Sequence, residues 1–271
     1  MKRWLGLLVL FASFASPTPL WAFERETTDD PDCTEALGVN CVHQGVPLVW
    51  DAFPVAFAIN SAGSGLDFSS VAGAVQASFD SWRSASSDHV TFTFDGSTTA
   101  GSDGQDGQNT VSWRNLGSNA ADTFAQSVLT YDKGTGRIFD VDIELNSVNV
   151  FAILPEGEDN NFDSRVDVQA VVTHEVGHLL GLAHENRFGP QVVMFFSDTS
   201  GNTTHRTLTS DDRDGVRAIY AAGSGSGGGS SSGGGGGGCS IAPGSSGDQV
   251  LPVLLLISAL LVRERLRRRR S

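Results

Sequence analysis

The run His174-Glu175-Val176-Gly177-His178-Leu179-Leu180-Gly181-Leu182-Ala183-His184 constrains this chain more than any other stretch. It gathers half of the six histidines into one short segment. His174 and His178 stand at i and i+4, so on a helix they share a face and reach one metal ion. Glu175 falls beside the position that an attacking water would take. Gly181 tolerates the left-handed backbone that ends a helix, which lets His184 swing back as a third ligand. Three neutral imidazoles leave the fourth tetrahedral position open, and this separates a catalytic zinc site from a closed structural one. Glu175 is then placed to act as general base and, afterwards, as general acid.

The chain has two methionines, and one of them, Met194 in Gln191-Val192-Val193-Met194-Phe195-Phe196, lies shortly after the third histidine. The long histidine motif with this downstream methionine resembles the metzincin metalloproteases, whose methionine turn forms a hydrophobic floor beneath the metal. Within them the matrixins are most similar. Thr207-Leu208-Thr209-Ser210-Asp211-Asp212-Arg213-Asp214-Gly215-Val216-Arg217-Ala218-Ile219-Tyr220 resembles that family's last helix, and residues 130–146 resemble the hairpin before its active-site helix. The resemblance covers residues 47–221. It implies an α+β metzincin fold: a twisted, mostly parallel five-stranded sheet with an antiparallel edge strand, two long helices, and a C-terminal helix after the methionine turn. It implies zinc on His174, His178 and His184, Glu175 as base, and a polypeptide substrate paired along residues 123–131 by β-augmentation. The activity implied is that of a metalloendopeptidase; a catalytically silent surface binding protein or adhesin on the same fold is the alternative. Two departures stand out. Phe195-Phe196-Ser197 replaces the family's usual Tyr-Pro, so side-chain preference does not carry over. Glu185, directly after His184, is more typical of astacins.

Local patterns agree with such a fold. Val71, Val75, Phe79 and Trp82 predict a helix over 68–84, capped by Ser69 or Ser70. Strands are expected at 54–60, 90–94, 110–114, 123–131 and 137–145. The active-site helix is expected over 167–180 with Asp167 as its cap, and Thr209 with Asp212 reads as a capping box for the last helix. Asp140, Asp142 and Glu144 alternate with apolar residues, the pattern of a half-exposed strand. These acids, and the oxygen-rich loop 158–163, are candidate places for a structural calcium. His43, His89 and His205 lack partners at ligand spacing and read as surface or loop histidines.

The two ends frame this segment. Residues 1–22, basic and then apolar with small residues near Ala22, have the architecture of a signal peptide. An N-terminal Cys-containing segment, 23–46, precedes the catalytic segment 47–221. Residues 222–238 form a Gly/Ser linker. Residues 239–271 carry Cys239, the apolar run 250–262 and an arginine cluster. This tail resembles a MYXO-CTERM-type sorting signal, which implies a helix in the apolar run, cleavage by a sorting protease near Cys239, and display at the cell surface after initial membrane tethering. With the arginines inside, the catalytic segment is expected outside the cytoplasm. Of the three cysteines, Cys33 and Cys41 are expected to pair with each other in an exported chain. The formal net charge of −13 disfavours nucleic acid as a partner. A monomer is expected.

Overall fold

The structure, a computed structural model, describes residues 23–29, 36–39, 41, 44–102, 106–117, 123–157, 164–221 and 251–255. The first two strands, β1 (Thr27–Asp29) and β2 (Gln44–Pro47), pair antiparallel beside the main sheet. That sheet contains β3 (Val55–Asn60), β4 (Phe92–Ser97), β5 (Thr110–Arg114), β6 (Ala125–Tyr131) and β7 (Ile138–Asn146), in the order β4-β3-β5-β7-β6. The first three pairings are parallel, and β6 is antiparallel to β7. Two short strands, β8 (Phe151–Ala152) and β9 (Val166–Asp167), pair in parallel just before the active-site helix.

Helix α1 (Phe68–Ala85) buries Val71, Val75, Phe79 and Trp82 along one face. That periodicity drives it onto the sheet, where the Phe57 and Phe79 rings stack at 3.8 Å. Helix α2 (Val168–Leu179) is buried along its length apart from the half-buried Gln169, as a central helix must be. The two helices are joined by polar contacts within the core. Trp82 Nε1 donates to the Thr173 carbonyl at 2.7 Å, and Ser78 Oγ donates to that of Gln169 at 3.0 Å. Helix α3 (Ser210–Ile219) follows the methionine turn and closes the structure against α1. This is the arrangement that the family resemblance implies.

Three local expectations need correction. Asp67, not Ser69 or Ser70, caps α1: its extended backbone lets the carboxylate accept Ser70 N–H at 3.1 Å, and both serine hydroxyls donate to it. Those hydrogen bonds, led by the Ser69 hydroxyl, hold the Asp67 carboxyl down at about 2. Strand β7 is not half-exposed, because both of its faces are covered. Asp140, Asp142 and Glu144 are buried. Asp142 accepts Thr110 N–H at 3.0 Å, and Glu144 accepts from Arg114 at 2.7 Å and Gln126 at 2.6 Å. The Asp142 and Glu144 oxygens offered as calcium ligands there already have protein donors, and the loop 158–163 lies outside the described residues. His205 is buried at 1% exposure rather than superficial, for reasons given below.

Leu251–Leu255 forms β10, which runs antiparallel along the outer edge of β6 from Tyr131 to Ser127. The tail resemblance implied a helix for this run. Residues 251–255 are extended instead, at a sheet edge that tolerates Pro252 having no N–H to donate, and the rest of the run lies outside the described residues. No helix among the described residues is long and apolar enough to cross a membrane. Cys41 is disulfide-bonded. The signal segment, Cys33, His43, the linker and Cys239 with the arginine cluster lie outside the described residues.

Candidate metal centre

The site is built on α2. Asp167 caps this helix, accepting Ala170 N–H at 2.8 Å, and also accepts Leu154 N–H at 3.0 Å and Arg206 Nε at 2.8 Å. The C-terminal end is a Schellman turn. Leu182 N–H donates to the Gly177 carbonyl at 3.0 Å and Gly181 N–H to that of His178 at 2.8 Å. Gly181 takes φ +84°, and a Cβ there would lie 2.5 Å from the Leu48 carbonyl oxygen, so both backbone sign and space demand glycine. The remaining carbonyls are met from afar. Trp50 Nε1 donates to Leu179 at 2.8 Å, and the Tyr220 hydroxyl donates to Leu180 at 3.0 Å while accepting Trp50 N–H at 3.2 Å.

The turn returns the chain so that His174, His178 and His184 converge. Their Nε2 atoms lie 3.0–3.2 Å from one another. A tetrahedral ion with metal–nitrogen bonds of about 2.0–2.1 Å would set its nitrogens about 3.3 Å apart, so the donor set fits zinc closely. The opposite ring nitrogens are committed elsewhere. His174 Nδ1 faces the Val193 carbonyl at 2.6 Å, and His178 Nδ1 faces that of Leu182 at 2.8 Å. Those acceptors fix the protons on Nδ1 and leave the Nε2 lone pairs pointing at a common centre. Burial, then the neighbouring His178 and His184, pushes the His174 pKa well below the ordinary histidine value, which keeps the ring neutral and ligating. Among the described residues this trio is the one cluster suited to hold a metal ion.

Glu175 lies next to the trio, 2% exposed. Its Oε2 accepts the Ser127 hydroxyl at 2.7 Å. Burial raises its carboxyl to about 8, with the Ser127 bond pulling the other way. Met194 lies beneath the helix: a Cβ on Gly177 would meet its sulfur at 2.2 Å, so the glycine is what lets the thioether approach α2. Asp212 fixes the methionine turn from α3, accepting Val193 N–H and Met194 N–H at 3.2 Å each. The same carboxylate closes the capping box with Thr209. Glu185 turns away from the trio and receives Arg187 Nη2 at 2.6 Å. Beside His174 and Glu175 opens a pocket walled by Phe124, Ala125, Val171, Phe195, Phe196 and Ser197.

The sequence motif singled out His174, His178 and His184, which the structure brings together, and Glu175, Gly181 and Met194, which it places around them. It did not identify Ser127, the close approach of Met194 to Gly177, or the bonds from Asp212 to the methionine turn, all of which depend on contacts made across the fold. It also missed the pair beneath the pocket, where Asp198 Oδ2 lies 3.4 Å from His205 Nδ1 and His205 Nε2 faces the Pro190 carbonyl at 2.8 Å. Burial opposes charge on both groups. Even so, the close pairing of the two side chains lowers the Asp198 pKa and, with the Pro190 carbonyl, raises that of His205. The raised His205 pKa adds stability that is full below the ordinary histidine value and is lost as pH rises through the folded one. The lowered Asp198 pKa adds stability that is lost only as pH falls through its folded value, below the ordinary carboxylate range. The melting temperature of His205→Gln should therefore fall short of the parent at about pH 6, and the gap should narrow by about pH 9. A gap that does not change with pH would show that the pair contributes no charge-linked stability.

The family profile described as Matrixin matches residues 49–221, most of the chain. The chain belongs to the matrixin family. Over 62 residues it is 45% identical to matrix metalloproteinase-C of Caenorhabditis elegans, a stretch covering 22% of this chain and 11% of that protein. Over 64 residues it is 36% identical to human neutrophil collagenase, 24% of this chain and 13% of that one. The chain thus matches only a small part of these relatives' length. Among solved structures, metalloproteinase-II of Bacteroides fragilis aligns over 66% of this chain and 57% of its own, at 15% identity and a TM-score of 0.35. Matrixins are zinc metalloproteases, and the trio on α2 has the ligand types and spacing that zinc requires.

Proposed function

We propose that the protein is an exported zinc-dependent endopeptidase acting on extracellular polypeptides. The observation that carries this reading is the convergence of three buried imidazole Nε2 atoms beside the Glu175 carboxylate. Zinc, when bound, supplies Lewis acidity, activating water and polarising the scissile carbonyl. Glu175 takes the proton from the attacking water and delivers it to the departing amine. Ser127 holds that carboxylate in one orientation through its 2.7 Å hydrogen bond. The pocket between Val171 and Phe195 receives an apolar substrate side chain. Strand β6 orients the substrate backbone. Its outer edge takes an antiparallel strand in this structure, that of Leu251–Leu255, and a substrate would pair there in its place. Export is supported by the signal-like residues 1–22 and by the disulfide bond at Cys41, which suits an oxidising compartment. The tail's resemblance to a sorting signal supports transient tethering and surface display.

Metal removal tests the reading. The full chain is expected to cleave an unstructured protein such as casein, to lose that activity when dialysed against a chelator, and to regain it with stoichiometric zinc. Cleavage that persists in metal-free protein would overturn the reading. Tight zinc binding without cleavage of any unfolded substrate would favour the binding-protein alternative.

A further inference from the structure

We propose that Glu26 is a positioning residue for the metal ligand His178, so that part of the metal centre's outer layer comes from a segment upstream of the family-matched region 49–221. The inference rests on the zinc reading of the trio. Glu26 is 4% exposed, and its Oε1 lies 3.3 Å from His178 Nδ1. The backbone holds it there on both sides. Glu26 N–H donates to the Gly181 carbonyl at 2.9 Å, and the Glu26 carbonyl accepts Leu48 N–H at 2.8 Å. Ala183 N–H donates to the Glu24 carbonyl at 3.1 Å, so residues 24–26 lie along the turn that carries the chain from His178 to His184. Arg25 points elsewhere, donating through Nη2 to the Leu48 carbonyl at 3.0 Å.

The Leu182 carbonyl at 2.8 Å already fixes the His178 tautomer, so the carboxylate has a second effect. A buried anion is costly unless positive charge answers it. A cation held by the three Nε2 atoms would add positive charge at the other nitrogen of the same ring. In return, an imidazole that donates to a carboxylate is a more basic ligand than one that donates to a carbonyl alone. Glu26 and the cation therefore stabilise one another through the ring, and neither effect needs Glu26 to touch substrate.

The test uses the full chain and the Glu26→Gln variant, which keeps side-chain shape and every backbone hydrogen bond but removes the charge. Zinc affinity is measured by competition with a chromophoric chelator, the cobalt-substituted protein by its visible absorption, and the metal-free proteins by thermal melting. The zinc dissociation constant should rise about 10–100-fold, the cobalt bands should shift, and the metal-free melting temperature should hold or increase. An unchanged dissociation constant and cobalt spectrum would overturn the proposal, and a lowered metal-free melting temperature alongside them would assign Glu26 a purely structural role. If Glu26→Gln does not fold, Glu26→Asp draws the carboxylate back by one methylene and should still weaken zinc several-fold; unchanged affinity there is equally fatal. A parent chain that binds no zinc would sink the zinc reading itself, whereas equal binding by parent and variant would sink only the role of Glu26.

Discussion

Glu175→Gln is expected to lower turnover by about 10²–10⁴-fold, the usual contribution of a positioned general base, while leaving zinc content unchanged. Glutamine matches the shape of the side chain and can still accept the Ser127 hydroxyl bond, but it cannot take a proton from water. The stability change should have the opposite sign to the activity change. Burial raises the Glu175 carboxyl to about 8, which means the fold disfavours its charge. Removing that charge should leave the melting temperature of metal-free protein equal or higher. Steady-state kinetics, metal analysis and thermal melting on the same preparation check all three points. A variant with parental turnover would remove Glu175 from the mechanism. A variant that loses zinc would show the residue to be part of the metal's support instead.

Asp212→Ala should be the most destabilising single change in the site, by about 3–5 kcal/mol. Asp212 is 1% exposed, and its two oxygens serve the backbone N–H groups of Val193, Met194 and Thr209. Hydrogen bonds to a charged group are worth about 1.5–3 kcal/mol each, and a lost cap adds about 1 kcal/mol, though such terms do not sum fully. Alanine also leaves buried donors with no acceptor. Urea denaturation measures the loss, and Asp212→Asn should fall between parent and alanine because one acceptor oxygen survives. The effect should reach the metal as well, since Val193 supplies the carbonyl that orients His174. A loss below about 1 kcal/mol would show that the turn is held by packing around Met194 rather than by the carboxylate.

The features that could be read from the sequence are those set by neighbours in sequence. The histidine run is one helix turn plus a glycine-ended reversal, and its three imidazoles converge in the structure as the spacing implies. Asp167 and the Thr209–Asp212 box were equally plain, because a cap acts within three residues. Strands β3 and β5 to β7 lie within two residues of their expected bounds. What escaped was decided at long range. Asp142 and Glu144 of β7 look solvated until Thr110, Arg114 and Gln126 arrive from other strands to donate to them. His205 looks superficial until Asp198 and Pro190 enclose it. Glu26 carries no periodicity or motif, and only the folded backbone brings it to His178. The Asp67 cap was hidden by competition, since the two serines beside it are ordinary caps and serve here as donors to a better one.

The hydrogen bonds at the end of α2 have a consequence for survival in solution. A peptidase meets its own copies as substrate, and frayed chain ends are the first places to be cut. Here residues 24 and 26 are bonded to Ala183 and Gly181, and Tyr220 on the far side of the family-matched segment is bonded to Leu180, so both margins of that segment close on the loop that carries the three histidines. A cation that binds only the closed loop stabilises it by about 4 kcal/mol at a thousandfold excess over its dissociation constant. That free energy reaches both margins through the same bonds. Under the proposed function, molecules that hold the cation would be both active and harder to nick at these margins, whereas molecules that have lost it would be inactive and looser there. In a mixed population, self-digestion would then remove the inactive molecules and spare the active ones.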